Sequence, residues 1–119
     1  MSATLNEVLE RNKIIWRESE KLGLKPGASF GVDFEFYATK PEEKEQILPI
    51  LQARGMKVDV KQTRVLIVFK GWHIKATEEA QWTLESLQKR TEEIYLEAAK
   101  IGILFEGLGM MLPKSSGQV

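Results

Sequence analysis

The chain has 119 residues, with 17 basic and 17 acidic side chains, so its formal net charge is zero. This balance gives no support for attraction of the whole molecule to nucleic acid or to an anionic membrane. The sequence contains no cysteine, which excludes disulfides, thiolate zinc sites and a cysteine nucleophile. Its apolar runs fall short of the ~20 residues of a membrane helix, and its first residues lack the apolar core of a signal peptide. We therefore expect a soluble, cytoplasmic protein.

A capping-box pattern opens the first predicted helix. Thr4 is the candidate N-cap, and Glu7 follows three residues later. Apolar residues then recur at roughly helical spacing as far as Gly23, which predicts the end of the helix.

Residues 30–38 alternate between apolar and acidic or aromatic side chains, which predicts a strand with one buried face. Thr39 is then the predicted N-cap of a second helix, and Glu42 completes a second capping box. This helix is expected to end at Gly55. Because proline lacks a backbone N–H, Pro49 predicts a kink or an irregular second half.

A hairpin is predicted after the second helix. Residues 56–62 alternate, residues 62–64 form the expected turn, and residues 65–74 return as an interior strand. A turn at this place puts Val60 close to Ile67 across the hairpin, and the two predicted strands then share one buried face.

The remaining elements complete a known arrangement. A long helix is predicted over residues 77–100, and a last strand over residues 104–112. Two β-α-β crossovers around a hairpin make a ferredoxin-like unit, and right-handed crossovers place both main helices on one sheet face. We therefore predict an α+β two-layer sandwich over residues 1–112, with strand order 4-1-3-2 and an extra N-terminal helix. Residues 113–119 form a polar tail.

Two glycines interrupt the last predicted strand. In a regular strand Gly107 and Gly109 share a face with Phe105. Glycine inside a strand marks a bulge or the close approach of another group, so we expect a bulge or the ring of Trp16 or Trp82 across them. A phosphate-binding loop is the alternative, but the third glycine of that motif is missing and no helical pattern follows.

Three stretches of the sequence carry a family resemblance: GVDFEFYATKPEE, GMKVDV and FEGLGM. Together they resemble the family of regulators of ribonuclease E activity B (RraB). In the last motif of that family, this chain has Glu106 where an aspartate is usual and Leu108 where a tryptophan is usual. The resemblance covers residues 6–111. It implies a ferredoxin-like sandwich that binds an RNA-degrading endonuclease complex and modulates it, and it implies no catalytic residues.

The side chains with chemical potential are few. His73 is the only histidine, and the sequence has no Gly-x-Ser-x-Gly motif. Asp33 and Glu35 lie ~7 Å apart along one strand face, a spacing that two-carboxylate chemistry could use. Alternating charge on an exposed sheet face is the simpler interpretation. We therefore predict that the protein is not an enzyme and that it has no cofactor and no metal.

The face of the sheet away from the main helices is the candidate binding surface. The N-terminal helix, a second copy of the chain in a homodimer, or a protein partner could cover it. In the predicted register this face carries seven candidate partner-binding residues: Asp33, Glu35, Tyr37, Leu66, Val68, Lys70 and Trp72.

We predict a regulatory or adaptor protein that binds another protein, by resemblance an inhibitor of a ribonuclease E-type endonuclease. The alternative is a small-molecule or RNA-binding domain that uses the open face. Direct RNA binding is disfavoured because Tyr37 is the one ring that the first strand presents there, and two carboxylates beside it would repel phosphates.

Overall fold

The computed structural model describes residues 4–25, 28–65 and 69–111. Within them, three helices and four strands follow one another in the predicted order. Their bounds are α1 Leu5–Lys21, β1 Ser29–Ala38, α2 Pro41–Ala53, β2 Lys57–Val65, β3 Phe69–Gln81, α3 Leu84–Ile101 and β4 Leu104–Met111.

The four strands form one antiparallel sheet in the order β2-β3-β1-β4. This is the predicted order 4-1-3-2, counted from the other edge. The predicted ferredoxin-like α+β sandwich is therefore confirmed, with the extra helix α1 preceding the first strand.

Alternation along the central strands builds the core. Phe34 and Phe36 of β1 and Ile74 of β3 are all 0% exposed, and they pack under Ile47 of α2 and Leu87 of α3. Burying an apolar side chain of this size stabilises the fold by ~1.5–3 kcal/mol. The apolar face of the sheet therefore holds the helices on one side.

The helix α1 joins the other helices instead of covering the opposite face. Its Asn12 is 1% exposed, and the side-chain amide donates to Gln88 Oε1 and Thr91 Oγ1 of α3 at 3.0 Å each. The ring of Trp16 contacts that of Phe30 on the core side of β1, with 6.2 Å between centroids. The three helices thus form one layer, and no helix of the described residues lies on the other sheet face.

The helix starts test the capping predictions. Thr4 caps α1, and its capping box with Glu7 is confirmed. The second helix begins one residue later than predicted, because Lys40 and not Thr39 is the N-cap. The carboxylate of Glu43 accepts the backbone N–H groups of Thr39 and Lys40, at 3.0 and 3.3 Å, so Glu42 does not complete the box.

The second half of α2 is helical, so the predicted irregular second half is wrong, whereas the kink at Pro49 stays a prediction. The helix continues through Pro49 to its last residue. Ile47 and Leu51 on either side of it are 0% exposed. Their burial offsets the hydrogen bond that proline cannot make.

The hairpin of β2 and β3 is longer than predicted. Residues 62–64 belong to β2, and Val60 lies opposite Ile74 instead of Ile67. These residues are polar, and one of them, Thr63, is β-branched, which suits an edge strand. They therefore continue the pairing of β2 with β3 instead of forming the turn. The connection at residues 66–68 lies outside the described part of the chain.

The strand β3 also extends beyond its predicted end. Residues 77–81 were expected to open the long helix, yet they pair with residues 29–33 of β1. The helix α3 starts only after Thr83, which caps it through a hydrogen bond from the Ser86 backbone N–H at 3.1 Å. Pairing with the central strand outweighs the helical spacing of these residues.

Candidate functional site

The open sheet face brings together three of the predicted residues. Asp33, Glu35 and Tyr37 alternate along β1 on this face, and each is partly exposed. The β3 residues that lie opposite them are, in the same order, Thr77, Lys75 and His73. The Thr77 hydroxyl donates to the Asp33 carboxylate.

Two predicted members belong to the other face. Trp72 pairs with Ala38, and Lys44 of α2 places its Nζ 5.4 Å from the centre of the Trp72 ring. Lys70 alternates with Trp72 and shares its side of the strand. The predicted register was wrong by an odd number of residues, which exchanges the two faces of a strand. The last two predicted residues, Leu66 and Val68, lie outside the described residues.

The last strand contains the predicted bulge. Glu35 lies opposite Gly107, whereas the next residue, Phe36, lies opposite Phe105. Glu106 is therefore an extra residue in β4, and the strand is bulged there. Gly107 has φ of 139°, a conformation that side chains with a Cβ rarely adopt. The backbone conformation at position 107, and not a ring packed over it, is therefore the reason for the glycine.

The predicted ring over the glycines is wrong. After the bulge, Gly107 and Gly109 lie on the open face. Apart from chain neighbours, no heavy atom of the described residues lies within 4 Å of a Cβ built on either glycine. Trp16 and Trp82 are buried on the helix side, and the indole N–H of Trp82 donates to the Phe30 carbonyl at 3.1 Å.

A cluster of three polar side chains forms where the bulge meets the centre of the sheet. Nε2 of His73 lies 3.2 Å from Oε1 of Glu35 and 3.2 Å from Oε1 of Glu106. These side chains are 35%, 37% and 46% exposed, respectively. Partly exposed pairs of this kind contribute roughly 0–1 kcal/mol each. Sequence reasoning missed the cluster, because the predicted register put Trp72 and not His73 on the open face beside Glu35 and Glu106.

A close approach to glycine does occur, at Gly71 of β3. A Cβ on Gly71 would overlap the hydroxyl group of Tyr37. The Tyr37 ring crosses this gap, and its hydroxyl oxygen lies 3.3 Å from Oγ1 of Thr63 on β2. One side chain therefore connects β1 to β2 across β3 and fixes this end of the open face.

Charge is distributed unevenly across the open face. The ladder registers place two carboxylates of β1 and one of the β4 bulge on one side, and mostly lysines on the β2 side. The acidic side consists of Asp33, Glu35 and Glu106; the other side carries Lys57, Asp59 and Lys61 on β2 and Lys75 and Glu79 on β3. The face therefore has an acidic half and a half with more basic than acidic groups.

A depression of about 520 Å³ lies on this face. The residues that line it are Asp33, Gly55, Lys57, Lys75, Thr77 and Glu79. The two carboxylates and two ammonium groups among them balance in charge. Because Thr77 already donates to Asp33, this lining offers a polar contact surface and not an activated nucleophile.

Metal-binding and membrane-spanning features were sought in the described ranges. No group of three His, Cys, Asp or Glu side chains there is arranged to hold a metal ion. None of the helices in those ranges has the length and apolarity needed to cross a membrane.

The fold and the open face define a ferredoxin-like α+β sandwich with one charged sheet surface that the described helices leave uncovered. The family model described as RraB, Regulator of ribonuclease activity B, matches residues 9–110. The match covers nearly the whole chain, so the chain belongs to the RraB family, a family of regulators and not of catalysts. The family resemblance of the three sequence stretches is thereby confirmed. No curated protein matches the chain.

Proposed function

We propose that this protein binds a ribonuclease E-type endonuclease and inhibits it, and that it catalyses no reaction of its own. The observation that carries the proposal is the family match over residues 9–110, whose description is that of a regulator of ribonuclease activity. A regulator acts by contact with its target, so a protein-binding surface is required. The same proposal assigns the protein to the cytoplasm, where RNA is degraded.

The open sheet face is the proposed contact surface. It carries Asp33, Glu35 and Tyr37 among partly exposed neighbours, and the helices all pack on the opposite side of the sheet. Polar, partly exposed side chains on a rigid sheet suit a reversible protein contact, since charged groups confer specificity and fast association. Trp72 and Lys70 are left out of this surface because they share the helix side.

Direct RNA binding by the same face has weaker support. Tyr37 and His73 offer two rings on adjacent strands, and each stacked base could contribute ~1–3 kcal/mol. However, Asp33, Glu35 and Glu106 surround these rings with negative charge, which repels phosphates. The endonuclease is therefore the better-supported partner, and RNA is the substrate of that partner.

The proposal is tested by RNA cleavage with the purified ribonuclease E-type endonuclease of the same organism. Increasing amounts of this protein should lower the cleavage rate to a plateau, and surface plasmon resonance should give a saturable binding curve. The variant Glu35→Gln/Glu106→Gln keeps side-chain size and should weaken both effects by about tenfold, because it removes charge from the contact face.

The matched control is Glu45→Gln, which removes one exposed carboxylate from α2 on the helix side. It should bind and inhibit like the unmodified protein. If the chain neither binds the endonuclease nor slows it, the proposed function is wrong. If it binds and the two variants behave alike, the contact lies elsewhere on the molecule.

A further inference from the structure

We propose that two copies of this chain pair through their open sheet faces, with the acidic half of each sheet over the β2 side of the other. The inference does not depend on the endonuclease proposed above, although the two contacts would compete for one face. It follows from the order of the strands, the placement of the charges and the empty space over two glycines.

The strand order determines which symmetry fits. A two-fold axis parallel to the strands, midway between β3 and β1, reverses the strand order of the second sheet. In the order β2-β3-β1-β4, β3 then faces β1 of the second copy, and β2 faces β4. An axis across the strands would instead place β2 on β2 and bring like charges together. Only the axis along the strands makes the charges complementary.

The centre of this arrangement holds reciprocal ion pairs. Lys75 and Glu35 are cross-strand partners on β3 and β1, so the axis along the strands passes between them. Lys75 of each copy then faces Glu35 of the second copy. At the edge, Lys61 of β2 approaches the side of β4 that carries Glu106. Four attractive contacts result, because each is repeated by the symmetry.

In this arrangement, side chains of the second copy fill the open space over Gly107 and Gly109. Lys57, which lies in one cross-strand row with Asp33 and Gly109, would face Gly109 of the second copy. No heavy atom of the described part of the chain, beyond chain neighbours, lies within 4 Å of a Cβ built there. Its long side chain therefore has room to reach Asp33. Asp59, the one acidic residue of this edge, falls over the bare backbone of Gly107.

The area sets the expected strength. Four strands ~4.8 Å apart and ~3.3 Å per residue along about eight residues give a face of roughly 500 Å². Two such faces bury roughly 1,000 Å² together, at the lower end of specific interfaces. The pairing should therefore be weak, reversible and sensitive to salt, since exposed charges are screened at high ionic strength.

The first test is analytical ultracentrifugation of the full chain over a wide concentration range, at low and at high salt. The unmodified protein should form dimers at low salt, and high salt should weaken them by about tenfold or more. Two double variants reverse charges on the face: one is Lys57→Glu/Lys61→Glu, and the other is Glu35→Lys/Glu106→Lys. Each variant should be monomeric when it is alone. Mixed together they should form a heterodimer, because the first face then keeps Lys75 as its one lysine among acidic groups, whereas the second is largely basic.

The second test uses shape instead of charge. Gly109→Trp fills the space over β4, and the monomer should tolerate it because Gly109 has an ordinary backbone conformation and open surroundings. A circular dichroism melt checks that the variant is folded, and it should be monomeric. Glu45→Lys on the helix side is the control and should dimerise normally.

Two outcomes would overturn the inference. One is an unmodified protein that stays monomeric at low salt up to the highest concentration. The other is a dimer that survives Gly109→Trp and the charge changes, since this would place the interface elsewhere. Neither outcome bears on endonuclease binding, which is measured separately by the cleavage assay.

Discussion

Nε2 of His73 lies 3.2 Å from a carboxylate oxygen of Glu106, although their strands, β3 and β4, are separated by β1. Glu35 of the intervening strand lies at the same distance of 3.2 Å from that nitrogen. The bulge inserts Glu106 as an extra residue beside this contact, and it moves the residues after it, Gly107 and Gly109, from the helix side to the open face. A local irregularity in an edge strand thus determines which groups share the open face.

The bulge makes a prediction about the two glycines of β4. Gly107→Ala should destabilise the fold by ~1–2 kcal/mol, because its φ of 139° disfavours a Cβ. Gly109→Ala is the matched control and should change the free energy of unfolding by less than ~0.5 kcal/mol, as in ordinary surface substitutions. Urea denaturation measures both values. Equal effects would show that backbone conformation is not the reason for Gly107.

The approach of Tyr37 to Gly71 predicts a coupled pair. Gly71→Ala should cost ~1–3 kcal/mol of stability, since the new methyl group overlaps the Tyr37 hydroxyl. In Tyr37→Leu, which lacks that hydroxyl, the same alanine should cost much less. The coupling energy comes from the thermal or urea denaturation of both single variants and the double variant. Additive effects would contradict close packing between the two residues.

The buried amide between α1 and α3 predicts a large loss of stability. Asn12→Ala should destabilise the fold by ~2–4 kcal/mol, because it leaves a cavity and takes a donor from Gln88 and Thr91. Asn6→Ala, at an exposed position of the same helix, is the control and should stay within ~0.5 kcal/mol. A melt of Asn12→Ala that matches the control would mean that α1 is not held by this contact.

The cap of α1 predicts a dependence on pH. The Glu7 carboxylate accepts hydrogen bonds from the backbone N–H of Thr4 and then from the Thr4 side chain, and these lower the pKa of Glu7 below its ordinary value of 4.5. A lowered pKa in the folded state means that the ionised carboxylate stabilises the fold above that ordinary value, and that this stabilisation is lost as the pH falls through the folded-state pKa.

The unmodified protein should therefore exceed Glu7→Gln in stability at neutral pH, and the difference should vanish in acid. Circular dichroism melts at a series of pH values measure this difference. A difference that does not change with pH would argue against a cap by the charged form. Thr4→Val serves as the control, because it removes the hydroxyl of the same box.

Most of the architecture follows from local patterns. The capping box at Thr4 predicts the start of α1, and the alternation along β1 predicts which of its side chains are buried. Element order and the handedness of crossovers then predict the strand order and the single helix layer. These predictions hold even when the predicted end of a helix or strand is wrong by a residue or two, because an amphipathic element buries its apolar side wherever it ends.

The faces of β3 and β4 were decided only by the tertiary structure. Val60 pairs with Ile74, and this register places His73 and not Trp72 on the open face. The bulge does the same for Gly107 and Gly109 in β4, which a regular strand would place on the helix side with Phe105. Strand side chains alternate with a period of two, so a one-residue shift or insertion exchanges the faces. Pairing between residues far apart in the chain sets that register, and a pattern within one strand does not contain it.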